Sequence, residues 1–416
     1  MLKILALNSR RGRRARQRLL RRGDDLLDAG TLRRARRILK RVRRGGDRAL
    51  LRFSARYDGL EAASVGELRR PCERLDDGRL PAGFAAALDR AVAAVRRYHE
   101  AQVRPPETRL EAAGVELVAL RRPLRRVGVY VPGGRATYPS TAVMTVLPAR
   151  LAGVREIVVA SPPRAFDNAA LRHALAVLGI DEAWAIGGAH AVAALAYGTE
   201  TIRRVDKIVG PGNALVTAAK HLASSAVAID GLAGPSEVVI VASDGADARL
   251  VAADLLAQAE HDPQALAVLI TDRKALARRV RAELAVQLPA LATAEVARAA
   301  LAGQGLALIV GGMEEALELA EEIAPEHLQL VGDEAEALAP RLERAGAVFV
   351  GGASAEVFGD YMAGPSHVLP TGGTARFASG LGLEDFLRRG HRVRYSAAAA
   401  ARQAAAVAAL AEVEGL

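Results

Sequence analysis

Apolar positions along this chain change their spacing near residue 126, and the elements follow from that change. Before it the spacing is helical. Leu32, Ala35, Leu39 and Val42, then Leu50, Phe53 and Tyr57, recur three or four residues apart, which puts them on one helix face. Asp58-Gly59 closes this stretch. A second helix is expected over about 84–102, with Leu88, Val92, Val95 and Tyr98 on one side and Pro105-Pro106 stopping it. Residues 1–30 are basic and poorly patterned, with room for a short helix and a turn at Arg22-Gly23-Asp24. This first hundred residues offers no evident chemistry.

From Arg126 onward, short apolar runs alternate with helix-length segments. Strands are expected at 127–131, 156–160, 182–186 and 206–209, with helices at about 141–151, 168–178, 189–197 and 213–223. A second alternating block starts at 238–242. It continues as helix 247–261, strand 267–271, helix 273–287, strand 306–310, helix 314–323, and strands 328–331 and 347–350. Such alternation implies an α/β fold with parallel sheets and crossover helices. Glycine-rich turns follow the strands of the first block, at Gly133-Gly134, Gly187-Gly188 and Gly210-Pro211-Gly212-Asn213. Ligands of open α/β sheets bind at that edge, and free amides there suit phosphates. None of these turns is a GxGxxG. The tail 396–410 is alanine-rich and helical by propensity.

Charge changes the picture only at the N-terminus. The formal net charge is +10 over 416 residues, yet residues 1–60 hold 20 basic and 5 acidic side chains. Arms of this kind can grip nucleic acid or a membrane surface. Here the arginines lie opposite an apolar helix face, so solvation is the preferred reading over nucleic-acid binding. With 52 arginines against five lysines, the bias runs through the whole chain and each arginine carries little information.

One cysteine, Cys72, excludes a disulfide framework within the chain and any Cys-based zinc motif. A reducing, cytoplasmic setting is expected. The longest uncharged run, 183–199, is broken by Gly187-Gly188 and shorter than a membrane span needs.

Candidate chemistry gathers late in the chain. Gln258 and His261 are three apart at the end of a helix that Asp262-Pro263 stops, so they share a face. They could help hold a metal, although a surface histidine is the simpler reading. Glu326-His327 stands between a helix and a strand. Neighbours on a strand point to opposite faces, so a shared site requires the pair to lie in the turn, where Pro325 favours it. Residue pattern alone leaves two readings, a proton-transfer pair or a capping glutamate beside a core histidine. Asp360 and His367 flank a loop containing Gly364-Pro365 and offer the O and N donors that zinc prefers. His99, His173, His221 and His391 read as structural.

These words occur together in a recognisable order: Val131-Pro132-Gly133-Gly134, Gly187-Gly188-Ala189, ALAYGTE over 194–200, VDKIVGPGN over 205–213, AGPSE over 233–237, Gln258-Ala259-Glu260-His261, Pro325-Glu326-His327 and SHVLP over 366–370. From about residue 30 to its end the chain resembles the histidinol dehydrogenase family. The resemblance implies two incomplete Rossmann-like domains, one from 30–124 with 238–378 and one from 125–237. A basic segment 1–29 would precede them and a helical dimerisation tail 379–416 would follow. It implies a cytoplasmic homodimer that oxidises L-histidinol to L-histidine through the aldehyde, using zinc and two NAD, at the end of histidine biosynthesis.

Carried over by position, zinc would be held by Gln258, His261 and Asp360. His327 would be the base in both oxidations and Glu326 would activate water. Ser236, Gln258, His261, His327, Asp360, His367 and Glu414 would contact substrate, and Tyr130, His190 and Asn213 would contact NAD. Two departures stand out. His190 replaces the family's glutamine. The family's fourth zinc ligand, a partner-subunit histidine beyond the Glu-Gly-Leu word, has no counterpart after Glu414-Gly415-Leu416. Three protein ligands with substrate and water are therefore expected. Alternative readings are a relative oxidising another small alcohol, or a weakly active or inactive paralogue that serves as a binding protein.

Overall fold

Two parallel sheets carry the chain in this computed structural model, which describes residues 2–24, 26–133 and 137–416. Gly134, in the expected Gly133-Gly134 turn, lies outside the described residues. One sheet has five strands in the order Glu182–Ala185, Glu156–Ser161, Arg126–Tyr130, Lys207–Val209, Ala228–Ile229. The other has six, in the order Lys3–Ala6, Leu306–Ile309, Leu266–Thr271, Glu237–Ala242, His327–Val331, Ala347–Val350. The central strands are buried along their whole length, as expected where helices cover both faces of a parallel sheet. The α/β fold class with two Rossmann-like sheets is as expected from the alternation.

Several boundaries differ from the expectation. The apolar word Ile4-Leu5-Ala6 is not part of a loose basic arm. It forms an edge strand, Lys3–Ala6, paired in register with Leu306–Ile309, and helix Arg10–Leu20 follows it. A strand this short gains its stability from a partner some three hundred residues away, which local patterning cannot register.

Helix Ala29–Phe53 buries Ala35, Ile38, Leu39, Val42, Leu50 and Phe53. That stripe packs against helices Gly188–Tyr197 and Ala214–Ala223. Helix Phe84–Glu100 packs on Pro139–Leu151. Both helices thus clothe the five-stranded sheet, and helix Phe84–Glu100 also meets Gly364 of the 238–378 unit with which the sequence reading grouped it. The tail is also not wholly helical. Strand Leu387–Tyr395, which contains His391, pairs antiparallel with Val115–Pro123, itself paired with Glu107–Ala112. The hairpin between the last two turns on Ala113 (φ 51) and Gly114 (φ 78), the two positive φ values that a tight twisted hairpin needs.

The two sheets meet edge to edge. Ser366 Oγ donates to the Met144 carbonyl at 3.1 Å, and Thr217 Oγ1 to the Ala233 carbonyl at 3.0 Å. These contacts join the carboxyl edge of the five-stranded sheet to the amino edge of the six-stranded one.

Candidate active site

The expected catalytic pair lies in that seam, at the amino edge of the six-stranded sheet. Helix Met313–Ile323 ends at Ala324, whose φ of 46 turns the chain, and Pro325 prevents continuation. Strand His327–Val331 starts immediately, with His327 opposite Val238. Glu326 and His327 therefore straddle the turn–strand junction, whereas a shared site was expected to require both in the turn. They nevertheless serve one place, because both engage Glu237. The Glu237 N–H donates to Glu326 Oε2 at 2.8 Å, and His327 Nδ1 lies 3.0 Å from the Glu237 carbonyl. A carbonyl can only accept, so this contact assigns the proton to Nδ1 and leaves the lone pair on Nε2. That is the form a general base requires.

Burial dominates the electrostatics. Glu326 is 7% exposed and His327 5%. Desolvation pushes the His327 pKa down, against the pull of Asp360. It pushes Glu326 well above the usual carboxylate range, and the charges of Glu237 and Asp360 add to the rise. Glu356 is 1% exposed, with Oε2 3.7 Å from His327 Nδ1. Burial raises it strongly too, followed by Asp360, Glu326 and Asp254. A dry pocket that gathers several carboxylates favours a cation. His367 completes the group. Its Nδ1 donates to the Asp360 carbonyl at 3.0 Å, and its Nε2 lies 3.3 Å from the Thr141 hydroxyl of the other sheet's unit. Burial lowers its pKa, and Asp360 opposes the shift.

The expected metal residues converge on this place. Gln258 ends helix Ala248–Ala259, His261 follows it, and Asp360 sits on helix Glu356–Tyr361. Gln258 is 1% exposed, and its carboxamide lies 3.2 Å from His327 Nδ1. His261 is exposed, and it and Asp360 both act electrostatically on His327 and His367. Among the described residues no three His, Cys, Asp or Glu side chains share an ion position. The set contains only two residues of those types, and one nitrogen with two oxygen donors suits zinc with positions left open.

The expected cofactor residues lie at the carboxyl edge of the five-stranded sheet. Strand order reverses beside Arg126–Tyr130, which makes the crevice between Tyr130 and the 210–213 turn the topological switch point. Gly210 (φ 109) has no room for a side chain, since a Cβ would stand 2.1 Å from the Tyr130 carbonyl. Asn213 caps helix Ala214–Ala223, with Oδ1 accepting from the Leu215 and Val216 amides, and is otherwise exposed.

The amides of Gly187 and Gly188 are not free for phosphate. Gly188 donates to the Tyr130 hydroxyl at 3.0 Å and Gly187 to Asp58 Oδ2 at 3.1 Å. His190 is 1% exposed, with Nε2 2.7 Å from the same Asp58 oxygen. Its ring thus holds the turn in place rather than facing the crevice.

Comparison with known proteins gives the family. The family model described as Histidinol dehydrogenase matches residues 24–416. The chain belongs to the histidinol dehydrogenase family. A histidinol dehydrogenase of Pseudomonas fluorescens is 45% identical over 355 residues, covering 85% of this chain and 80% of that protein. One from Bacillus cereus is 43% identical over 405 residues, covering 96% and 93%. The crystal structure of histidinol dehydrogenase from Elizabethkingia anophelis superposes with a TM-score of 0.89 at 29% identity, covering 100% and 95%.

Within this histidinol dehydrogenase fold, two expected site residues stand apart from the cluster. Ser236 directly precedes Glu237, and its carbonyl accepts from Leu266 N–H at 2.9 Å; it is close along the chain but makes no hydrogen bond to Glu326 or His327 among the described residues. Glu414 caps helix Ala397–Val413 and is exposed, with no side-chain partner among the described residues. Sequence reasoning missed Glu237, Glu356, Asp58 and Arg22. Glu237 stood in the AGPSE word, and Asp58 was read as a helix end. Nothing local pointed to Glu356 or Arg22.

Proposed function

We propose that the chain oxidises L-histidinol to L-histidine by way of the aldehyde, with zinc bound by Gln258, His261 and Asp360 and two NAD used in turn. The carrying observation is that Glu326 and His327, neighbours across a turn–strand junction, are both buried and both oriented by Glu237 beside Asp360 and His367. When bound, zinc supplies a template for the substrate's imidazole and amine, and NAD accepts the electrons.

His327, held with Nδ1–H on the Glu237 carbonyl, presents Nε2 to take the alcohol proton in the first oxidation and that of the hydrated aldehyde in the second. Glu326, fixed by the Glu237 amide, orients and deprotonates the water that attacks the aldehyde. His367, braced between Asp360 and Thr141, binds substrate and ties its position to the other unit. Ser236 lines the amino edge of the same sheet. Tyr130 and Asn213 flank the NAD crevice, and His190 supports it through Asp58.

A homodimer fits the tail. Helix Ala397–Val413 buries only Ala399, and its Val407, Leu410 and Val413 are 61%, 70% and 87% exposed. A second copy covering that helix could also bring its Glu414 to a substrate site. No helix among the described residues is long and apolar enough to cross a membrane, and a cytoplasmic location is part of the proposal.

The test uses the purified full chain. Zinc is measured by mass spectrometry and NADH formation is followed with L-histidinol. Zinc near one per subunit with about two NADH per substrate is the expected result. Zinc with no turnover of histidinol would redirect the reading to another small alcohol, and absence of both would overturn it.

A further inference from the structure

Glu237 touches both proposed catalytic residues through its backbone, and its side chain enters a buried ion pair. Arg22, from the turn after helix Arg10–Leu20, meets it with both forks. Nε lies 2.6 Å from Oε1 and Nη2 2.7 Å from Oε2. The side chains are 13% and 5% exposed. The guanidinium is itself held, with Nη1 donating to the Leu19 carbonyl at 2.8 Å and Nη2 reaching the Ala324 carbonyl at 3.4 Å. The carboxylate also accepts from Gly372 N–H at 3.0 Å and Glu326 N–H at 3.4 Å.

One buried pair therefore binds four segments: the N-terminal turn, the start of strand Glu237–Ala242, the Ala324–Glu326 turn, and the loop after His367. A planar bidentate pair fixes angle as well as distance, which a lysine's point charge cannot reproduce. Burying such a pair is seldom a source of net stability, and positional specificity is its better-attested use.

We infer that Arg22 and Glu237 are positioning residues for the reaction, setting the Glu237 backbone so that its amide and carbonyl orient Glu326 and His327. The inference rests on the catalytic assignment proposed above. It predicts that the basic N-terminal segment works through one arginine, by geometry, and not as a charged arm. Arg22 also lines an open cavity of about 540 Å³ with Arg14, Arg18 and Leu266, so a small cation from solvent can reach the place it would vacate.

The test compares Arg22→Met, Arg22→Lys, Glu237→Gln and the double variant Arg22→Met/Glu237→Gln in the full chain. Arg22→Met is expected to lower kcat roughly thirtyfold while KM for histidinol stays within about twofold, the pattern of lost transition-state positioning. Arg22→Lys should recover little of this. Millimolar guanidinium should restore Arg22→Met several-fold and leave wild type unchanged. The double variant should fall no further than the worse single variant, since both remove one device.

Hydrogen exchange provides a readout that needs no turnover. Arg22→Met should speed exchange about tenfold in peptides covering 324–328 and 371–373, while 156–161 in the other sheet is unchanged. Unchanged exchange at 324–328 overturns the inference whether or not histidinol is the substrate. So does an unchanged kcat in a variant whose wild type turns histidinol over. A wild type without turnover, alongside the expected exchange pattern, would refute the proposed reaction and leave the positioning pair supported.

Discussion

Replacing Asp58 by alanine should destabilise the half of the molecule built on the five-stranded sheet, and the size can be worked out. Asp58 ends the turn Ser54–Asp58 that follows the long helix. Its Oδ2 accepts from His190 Nε2 at 2.7 Å and Gly187 N–H at 3.1 Å, and the Asp58 and His190 side chains are 7% and 2% exposed. Alanine removes both acceptor contacts and leaves two dry donors. A hydrogen bond to a carboxylate contributes about 1.5–3 kcal/mol, so losing both gives an expected loss of about 3–6 kcal/mol.

Unfolding entropy is about 2.1 cal/mol/K per residue, or roughly 0.4 kcal/mol/K for a unit of about 200 residues. Calorimetry should then show a Tm drop of about 7–14 °C if that unit melts by itself, and about half as much if the whole chain melts as one. Asp58→Asn, which keeps one acceptor oxygen, should lose about half as much free energy. A cycle with His190→Phe should give a coupling of about 1.5–3 kcal/mol. An Asp58→Ala melt within about 1 °C of wild type, or strict additivity with His190→Phe, would refute the account of this turn.

Other consequences are equally direct. His327→Asn should lower kcat by about 10²–10⁴, whereas Glu326→Gln should stall after the first oxidation, read as about one NADH per histidinol instead of two; equal stoichiometry in both would separate Glu326 from the water step. Burial, with Asp181 adding to it, pushes the Cys72 thiol up to about 11, so its alkylation rate should still be climbing above pH 10, and a plateau below pH 9 would contradict the buried setting. Gly210→Ala should cost at least about 3 kcal/mol in urea titrations, because its φ is 109 and its Cβ would meet the Tyr130 carbonyl at 2.1 Å. Leu410→Glu with Val413→Glu should yield a monomer of 43.7 kDa in sedimentation; a persistent dimer would place the interface elsewhere.

The elements that could be read in advance share a property. Strand Arg126–Tyr130 and helix Ala214–Ala223 bury enough of their own residues for periodicity to reveal them. Strands Lys3–Ala6 and Leu387–Tyr395 do not. Each is exposed along much of its length and exists because a distant strand offers hydrogen bonds. The motif words divide the same way. Glu200 in ALAYGTE accepts from the Asp47 amide at 2.6 Å, and Asp206 in VDKIVGPGN accepts from the Arg125 and Arg126 amides. These are joints between segments, invisible as such until both sides are in place.

By itself the sequence determined the α/β class, the alternation of its strands and helices, and the family to which Pro325-Glu326-His327 and its companion words belong, because hydrophobic period and rare words are local properties. Tertiary structure decided which sheet each early helix serves. It showed that Glu326 and His327 are oriented by one backbone, and that His190 turns toward Asp58. It also made Arg22, one of 52 arginines, the partner of Glu237. The physical reason is that hydrogen-bond direction and desolvation depend on which segments meet across the seam between two sheets. Residues 22, 237, 326 and 372 meet only when the chain has folded back on itself.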